Sequence, residues 1–173
     1  AAVGDQQPAA VLTQVHRSML MAAGDGPDSA FCTLVYAILR PSGGAGGVEL
    51  TLASAGHPLP RRVRADGSVE AVGTPGTLLG VLDEVDIADR TVLIDPGETV
   101  VFYTDGVLDV EVGGQAFGSQ GLTRLLTATA GRSGEEVAQT LVDVAAGPDV
   151  RQRDDLAFLV LKRRGSRTGS RRR

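Results

Sequence analysis

Two acidic loops beside apolar strands hold the residues of this chain best suited to chemistry. Asp105 follows the apolar run Val100–Tyr103, and Asp154 and Asp155 precede the apolar run Leu156–Leu161. A buried strand that ends in a carboxylate presents oxygen atoms at a fixed point on the surface. Hard divalent cations such as Mg²⁺ and Mn²⁺ prefer oxygen ligands. The pattern therefore predicts a divalent-cation site built from both loops.

Each loop also has a structural interpretation that the residues alone leave open. The Asp-Gly pair at 105–106 is a common turn, in which the aspartate side chain accepts hydrogen bonds from nearby backbone amides. Asp154 and Asp155 are equally compatible with a solvated acidic pair, or with ion pairs to Arg151 and Arg153.

Composition places the chain among soluble globular domains. Its 173 residues suffice for one domain with a real core, and 42% are hydrophobic and 22% charged. No apolar run approaches the roughly 18 residues that span a bilayer, and the N-terminus lacks the features of a signal peptide. The single cysteine, Cys32, excludes an intramolecular disulfide and favours a buried thiol in a reducing cytoplasm. Because no initiator Met is present, we expect the sequence to begin partway through a longer protein.

Charge is distributed unevenly along the chain. Seven of the 17 basic residues lie in 162–173, which leaves ten against 21 acidic residues elsewhere, a net charge of −11. An acidic body is a poor surface for nucleic acid, since phosphate neutralisation dominates that affinity. We expect one domain over residues 1–163 and a basic, disordered tail over residues 164–173.

The hydrophobic pattern predicts an α+β fold, with helices segregated against antiparallel strands. A helix is expected from Pro8 to about Ala22, with His16 partly exposed on it. Further helices are expected over 121–129 and from Ser133, where Ser133 and Glu136 have the spacing of a capping box. Strands are expected over 31–39, 48–55, 61–64, 68–71, 86–94, 98–103 and 156–161, the first of them buried on both faces.

The acidic loops belong to a wider set of motifs that resembles one protein family. The set consists of Ser54-Ala55-Gly56-His57-Pro58, Leu79-Gly80-Val81, Pro96-Gly97-Glu98, Phe102-Tyr103-Thr104-Asp105-Gly106-Val107, Phe117-Gly118 and Asp154-Asp155-Leu156-Ala157-Phe158-Leu159-Val160. Over residues 8–163 it resembles the bacterial PP2C-like (PPM-type) serine/threonine phosphatases of the SpoIIE and RsbU kind, which regulate sigma factors.

The resemblance implies a layered β-sandwich of antiparallel sheets flanked by helices. It implies a cytoplasmic enzyme in which two Mn²⁺ or Mg²⁺ ions activate a water that attacks phosphoserine or phosphothreonine. Asp105 and Asp154 match metal ligands, whereas Gly106 and Asp155 match positions that offer a carbonyl or orient a ligand. His57 has a possible role as general acid, although its Gly-His-Pro loop is expected mainly to form a rigid turn. The implied substrate is a phosphorylated anti-sigma-factor antagonist.

The chain departs from the family pattern at its start. The family's Gly-Gly-Asp strand, its Gly-Asp-Val-x-Gly-x-Gly segment and its first long helix have no counterpart, since Gly4-Asp5 continues into Gln6-Gln7-Pro8. About the first third of the domain is therefore expected to be missing, together with a bridging carboxylate. Expected consequences are an incomplete metal site, an exposed sheet edge and possible homodimerisation.

Two functional hypotheses follow from that departure. If the chain is a piece of a longer protein, the whole is expected to be an active phosphatase, with a possible upstream sensor domain. The alternative is a catalytically inactive pseudophosphatase that serves as a protein-binding or dimerisation module. A Gly-Gly-Asp motif upstream of Ala1 would favour the enzyme.

Overall fold

The computed structural model describes residues 7–23, 31–43, 47–147, 150–151 and 154–165. The side chains of Arg151 and Arg153 and most of the expected basic tail lie outside the described residues. The helices are α1 (Pro8–Ala23), α2 (Gly118–Thr127) and α3 (Gly134–Ala145). The strands are β1 (Leu34–Pro41), β2 (Val48–Ala55), β3 (Arg61–Val63), β4 (Val69–Ala71), β5 (Arg90–Ile94), β6 (Thr99–Tyr103), β7 (Glu111–Val112), β8 (Gln115–Ala116), β9 (Val150–Arg151) and β10 (Phe158–Lys162).

The described strands form antiparallel sheets, as the α+β expectation requires. The first sheet has the order β1-β2-β5 and the second the order β10-β6-β3-β4, while β8-β7-β9 form a small third sheet. In the second sheet Tyr103 lies opposite Phe158, and Thr99 lies opposite Lys162. The end of β6 and the start of β10 therefore meet at one edge of the sandwich.

Strand β6 is the centre of the core because it is buried on both faces. Side chains alternate along a strand, so Val101 and Tyr103 pack with α2 and α3, whereas Val100 and Phe102 pack against the first sheet. A further apolar cluster beneath α1 includes Leu12. Each fully buried Val or Leu contributes about 1.5–3 kcal/mol, so this alternation fixes the position of β6 and of the loop that follows it.

Helix α1 packs on the first sheet and corrects one expectation. His16 is 2% exposed and not partly exposed as expected, and its Nδ1 accepts a hydrogen bond from the Gly80 amide at 3.2 Å. The ring is buried because the loop around Gly80 folds over the helix, a contact that helical periodicity does not indicate. Within the described part of the chain, no described helix is long and apolar enough to cross a membrane.

Helix α3 begins where the sequence predicted, whereas α2 spans Gly118–Thr127 and so differs at both ends from the predicted 121–129. Ser133 and Glu136 form the predicted capping box: the Glu136 amide donates to Ser133 Oγ and the Ser133 amide donates to Glu136 Oε2. The hydrogen bond from the Ser133 amide, followed by that of the Ser133 side chain, holds the pKa of the Glu136 carboxyl below its usual value. Helix α2 begins at Gly118 and not at residue 121, because its first turn carries no apolar residue that periodicity would reveal.

Two strands are shorter or more exposed than their apolar patterns indicated. Strand β5 begins at Arg90 because Asp86 is tied into the preceding loop, where its amide donates to Thr77 Oγ1 at 2.9 Å. Strand β1 is not buried on both faces, since it lies at a sheet edge where Leu39 is 50% exposed. An apolar run alone does not show which strands lie beside it.

Candidate metal centre

The pairing of β6 with β10 brings the two acidic loops into contact. Beyond the last paired residues, the Thr104 amide donates to the Ala157 carbonyl at 3.2 Å and so extends the ladder by one hydrogen bond. Asp105 then begins a single 3₁₀ turn, Asp105–Val107. Asp154 and Asp155 precede β10 on the other side of this junction. The structure thus brings together the site residues predicted from sequence.

Thr104 fastens the two loops to each other, a role that sequence reasoning missed. Its hydroxyl donates to the Asp155 carbonyl and accepts from the Ala157 amide, each at 3.0 Å. A hydroxyl can donate and accept at once, so one side chain satisfies two backbone groups that the ladder leaves free. The only signal in the sequence was a threonine between an apolar strand and Asp-Gly.

Gly106 allows the loops to approach this closely. A Cβ at this position would lie 2.5 Å from the Asp155 carbonyl oxygen, far inside normal contact distance. Gly106 is itself buried. The glycine is therefore required for packing against the second acidic loop, in addition to any role of its carbonyl as a ligand.

The three carboxylates at this junction are exposed and keep free oxygen atoms. Asp105 Oδ1 accepts from the Gly106 amide at 3.1 Å, and Asp154 Oδ1 accepts from the Asp155 amide at 2.7 Å. These are the local hydrogen bonds expected if the aspartates only stabilise turns. Each bond uses one oxygen of its carboxylate and leaves the other oxygen without a local hydrogen bond. Among the described residues, no Lys or Arg forms an ion pair with Asp105, Asp154 or Asp155. No described side chain was thus seen to pair with these acids, while the side chains of Arg151 and Arg153 lie outside the described residues.

His57 lies beside this acidic edge, within the turn that the sequence predicted. Its carbonyl accepts from Ser54 Oγ at 2.8 Å, and its Nδ1 lies 3.3 Å from Thr33 Oγ1. Burial lowers the pKa of His57, while the charge of Asp105 and the carbonyl of Tyr103 act in the opposite direction. The side chain is therefore close enough to sense Asp105, and its backbone belongs to a fixed turn.

The ligand atoms at this junction are of the type that a hard cation prefers, but there are few of them. Asp105 and Asp154 offer carboxylate oxygens, and the backbone of Gly106 and Asp155 offers carbonyls, all of which suit Mg²⁺ or Mn²⁺. Across residues 7–23, 31–43, 47–147, 150–151 and 154–165, no group of three or more His, Cys, Asp or Glu residues could hold a metal ion. Asp105 and Asp154 are therefore candidate ligands that lie in no group of three or more such residues within the described part of the chain.

Comparison with known proteins assigns the family. The model of the family Stage II sporulation protein E (SpoIIE) matches residues 1–164. The chain belongs to the SpoIIE family. Protein IcfG of Synechocystis is 29% identical over 109 residues, which is 62% of this chain and 17% of that protein.

Solved structures confirm the PP2C fold of this SpoIIE-family chain. The RsbU and RsbW domains of Rv1364c from Mycobacterium tuberculosis align with a TM-score of 0.65 and 23% identity, over 93% of this chain and 43% of that one. The phosphatase domain of SpoIIE from Bacillus subtilis aligns at 0.61 and 14% identity, over 95% and 75%. The SiaA-PP2C domain of Pseudomonas aeruginosa aligns at 0.60 and 23% identity, over 93% and 63%.

The shares of length show how much of those proteins this chain matches. It spans 63% of the SiaA-PP2C chain and 17% of Protein IcfG. The layered sandwich is thus confirmed, and the chain corresponds to part of the length of its relatives.

Proposed function

We propose that this chain carries part of the active site of a metal-dependent protein serine/threonine phosphatase. The observation that supports it is the contact between the Asp105 and Asp154 loops at one edge of a PP2C fold. When bound, Mn²⁺ or Mg²⁺ would supply an activated water and stabilise negative charge on phosphate oxygens. The residues of this chain would hold and orient part of that centre.

Within that proposal each residue has a distinct task. Asp105 and Asp154 are metal ligands, each with one carboxylate oxygen free of local hydrogen bonds. Gly106 and Asp155 offer carbonyls or orient the ligands. Thr104 fixes the distance between the loops through its two hydrogen bonds. Because the carboxylates are exposed, a phosphorylated side chain on a folded protein can reach them without any opening of the domain.

The proposed substrate is a phosphoserine or phosphothreonine on a regulatory protein of the anti-sigma-factor-antagonist type. Family membership supports this choice, as does the mycobacterial neighbour that is described by its RsbU and RsbW domains. The carboxylates of Asp105, Asp154 and Asp155 would repel a phosphate dianion until metal ions are bound, since like charges repel. Activity is therefore expected to depend strictly on divalent cations.

One observation favours the alternative of a pseudophosphatase. The described residues provide two carboxylates where tight sites for divalent cations use more charged ligands. A protein with only these ligands would keep the fold and act as a protein-binding or dimerisation module. Sequence upstream of Ala1 with a Gly-Gly-Asp motif would supply the further ligand and remove this alternative.

The decisive experiment is a Mn²⁺-dependent assay of the whole protein on phosphoserine and phosphothreonine peptides. Asp105→Asn and Asp154→Asn should each reduce turnover at least about 100-fold, because even residues that only orient a metal ligand contribute about 10–100-fold. Asp66→Asn, which changes an exposed carboxylate in a distant turn, should leave turnover unchanged. A folded protein without Mn²⁺-dependent turnover would contradict the proposal and support the pseudophosphatase.

A further inference from the structure

A short hairpin lies in the chain between the proposed ligand Asp105 and helix α2. It consists of β7, the turn Gly113-Gly114 and β8. Both turn glycines have positive φ, 58° and 78°, as in the two-residue type I′ turn that suits a tight hairpin. At the base of the hairpin, the Phe117 amide donates to the Val110 carbonyl at 2.8 Å. The hairpin is therefore closed by its own turn and its own base.

The hairpin adds little to the apolar core. Val110, just before it, is buried, and Phe117, just after it, packs against the core cluster beneath α2 and α3. Between these two anchors, Val112 is 41% exposed and residues 113–116 are exposed. Because burial of apolar surface is the dominant favourable contribution to folding, the hairpin itself contributes little to the stability of the domain.

Strand β9 pairs with the other side of β7. Glu111 lies opposite Arg151, and Val112 lies opposite Val150. A hairpin that is already closed does not need this pairing to connect its neighbours along the chain. The pairing instead restrains the chain that follows β9, where Asp154 comes three residues after Arg151.

Asp154 is thereby attached to the rest of the site on both sides along the chain. On its C-terminal side, the Asp155 carbonyl accepts from Thr104 Oγ1 at 3.0 Å. On its N-terminal side, β9 is hydrogen-bonded to β7. Thr104 and β7 both belong to the segment that carries Asp105. The segments of the two proposed ligands are therefore joined at two points, one on each side of Asp154.

Such double attachment matters for a metal ligand. A carboxylate on an exposed loop loses conformational freedom when it binds a cation, and this loss weakens binding unless the loop is already ordered. Groups that orient a ligand without touching the metal contribute about 10–100-fold in metal affinity. We propose that the β7–β8 hairpin is a positioning element that holds Asp154 beside Asp105 through its pairing with β9. The inference rests on the metal centre of the proposed function.

The turn glycines allow a test that removes no contact. A Cβ at Gly113 would meet nothing within 4 Å, so Gly113→Val strains the backbone at φ 58° without a clash. Gly113→Asn is the matched control, because asparagine followed by glycine favours the type I′ turn. Gly131→Val is a second control that strains the turn between α2 and α3, where φ is 78° and nothing lies within 4 Å of the Cβ position.

The effect is measured by Mn²⁺ titration of the full chain, followed by the broadening of the Gly106 amide signal. Gly113→Val should raise the midpoint concentration at least about tenfold, whereas Gly113→Asn and Gly131→Val should leave it unchanged. Equal midpoints for the two Gly113 variants would overturn the inference and leave the proposed function intact. A chain in which Mn²⁺ broadens neither Gly106 nor Asp155 would contradict the proposed function, and this inference with it.

A disulfide between β7 and β9 supplies a rescue in a Gly113→Val and Cys32→Ser background. Val112→Cys with Val150→Cys places two thiols on directly opposite residues, whose Cα atoms lie about 4.5–5.5 Å apart in an antiparallel pair, a spacing that suits a disulfide. Oxidation should lower the Mn²⁺ midpoint at least about fivefold, within the range that orienting groups contribute, and reduction should reverse the change. A midpoint that does not respond to oxidation, once the disulfide is shown to have formed, would overturn the inference.

Discussion

The two ends of strand β6 carry carboxylates in opposite circumstances. Glu98, just before the strand, is 4% exposed and accepts from two nitrogens of Arg62, Nε at 2.9 Å and Nη2, and from the Asp95 amide at 2.8 Å. The carboxylate of Asp105, just beyond the other end, is exposed, and its one hydrogen bond among the described residues comes from the adjacent Gly106 amide. The same strand thus has a fully hydrogen-bonded carboxylate at one end and an exposed carboxylate at the other.

The difference separates an acid that is satisfied within the fold from one that we propose as a metal ligand. A buried charge must be paired and hydrogen-bonded or it destabilises the fold. Glu98 meets that requirement, so its contribution is to the second sheet. Asp105 needs no such partner because water solvates it, and its second carboxylate oxygen has no hydrogen bond among the described residues. The predictions below test this contrast, from the largest expected effect on stability to the smallest.

Removing the positive charge of Arg62, beside Glu98, should destabilise the fold severely. Arg62→Met leaves Glu98 buried without its counter-ion and should cost about 3–5 kcal/mol of unfolding free energy, measured by urea denaturation. Arg64→Met is the matched control, because Arg64 pairs with Glu70 at the surface, where water and salt screen the pair, and its loss should have a much smaller effect. Arg62→Met combined with Glu98→Leu should recover most of the loss. Equal effects at the two arginines would contradict the contrast.

At the Asp105 end of β6, the largest stability effect should come from a residue without charge. Gly106→Ala would place a Cβ 2.5 Å from the Asp155 carbonyl oxygen and should cost roughly 1–3 kcal/mol as the loops move apart. Gly43→Ala is the control, since nothing lies within 4 Å of its Cβ position. Thermal unfolding of both variants measures the difference. A stable Gly106→Ala variant would mean that the loops are not packed together in solution.

Removing the two hydrogen bonds of the Thr104 hydroxyl should lower the free energy of unfolding moderately. Thr104→Val keeps the shape of the side chain but removes both hydrogen bonds, at about 1–2 kcal/mol together. Amide hydrogen exchange should accelerate at Ala157, which loses its acceptor. Thr127→Val, which alters a hydroxyl on the exposed face of α2, should change neither quantity. Unchanged exchange at Ala157 would contradict the assigned role of Thr104.

The smallest stability effect is expected at the proposed metal ligands. Without divalent cations, Asp105→Asn and Asp154→Asn should each change the unfolding free energy by less than about 0.5 kcal/mol, because exposed substitutions rarely do more. The asparagine oxygen can still accept from the local amide. Chemical denaturation in EDTA tests this point. A loss of several kcal/mol would show that these acids are structural after all.

Much of the fold was predictable because the core strands have clear apolar patterns in the sequence. The strand over residues 98–103 was found because β6 is buried on both faces and reads as a continuous apolar run. The motifs predicted Asp105 and Asp154 as candidate ligands, and the structure places their loops in contact. Thr104 was missed because its role depends on the register of Tyr103 with Phe158. The sequence of one strand does not show which strand pairs with it. His16 was misjudged for the same reason, since the loop at Gly80 that buries it is distant in sequence.

The most direct test of the proposed metal centre is to follow Mn²⁺ addition to this chain by the paramagnetic broadening of its amide signals. We predict that broadening begins at Gly106 and Asp155, at Mn²⁺ concentrations that reflect weak binding, because only part of the metal shell is present. Asp105→Asn or Asp154→Asn should abolish it, whereas Asp66→Asn should not. Broadening centred elsewhere, or unchanged in the Asp105 and Asp154 variants, would contradict the assignment of this edge as a metal centre.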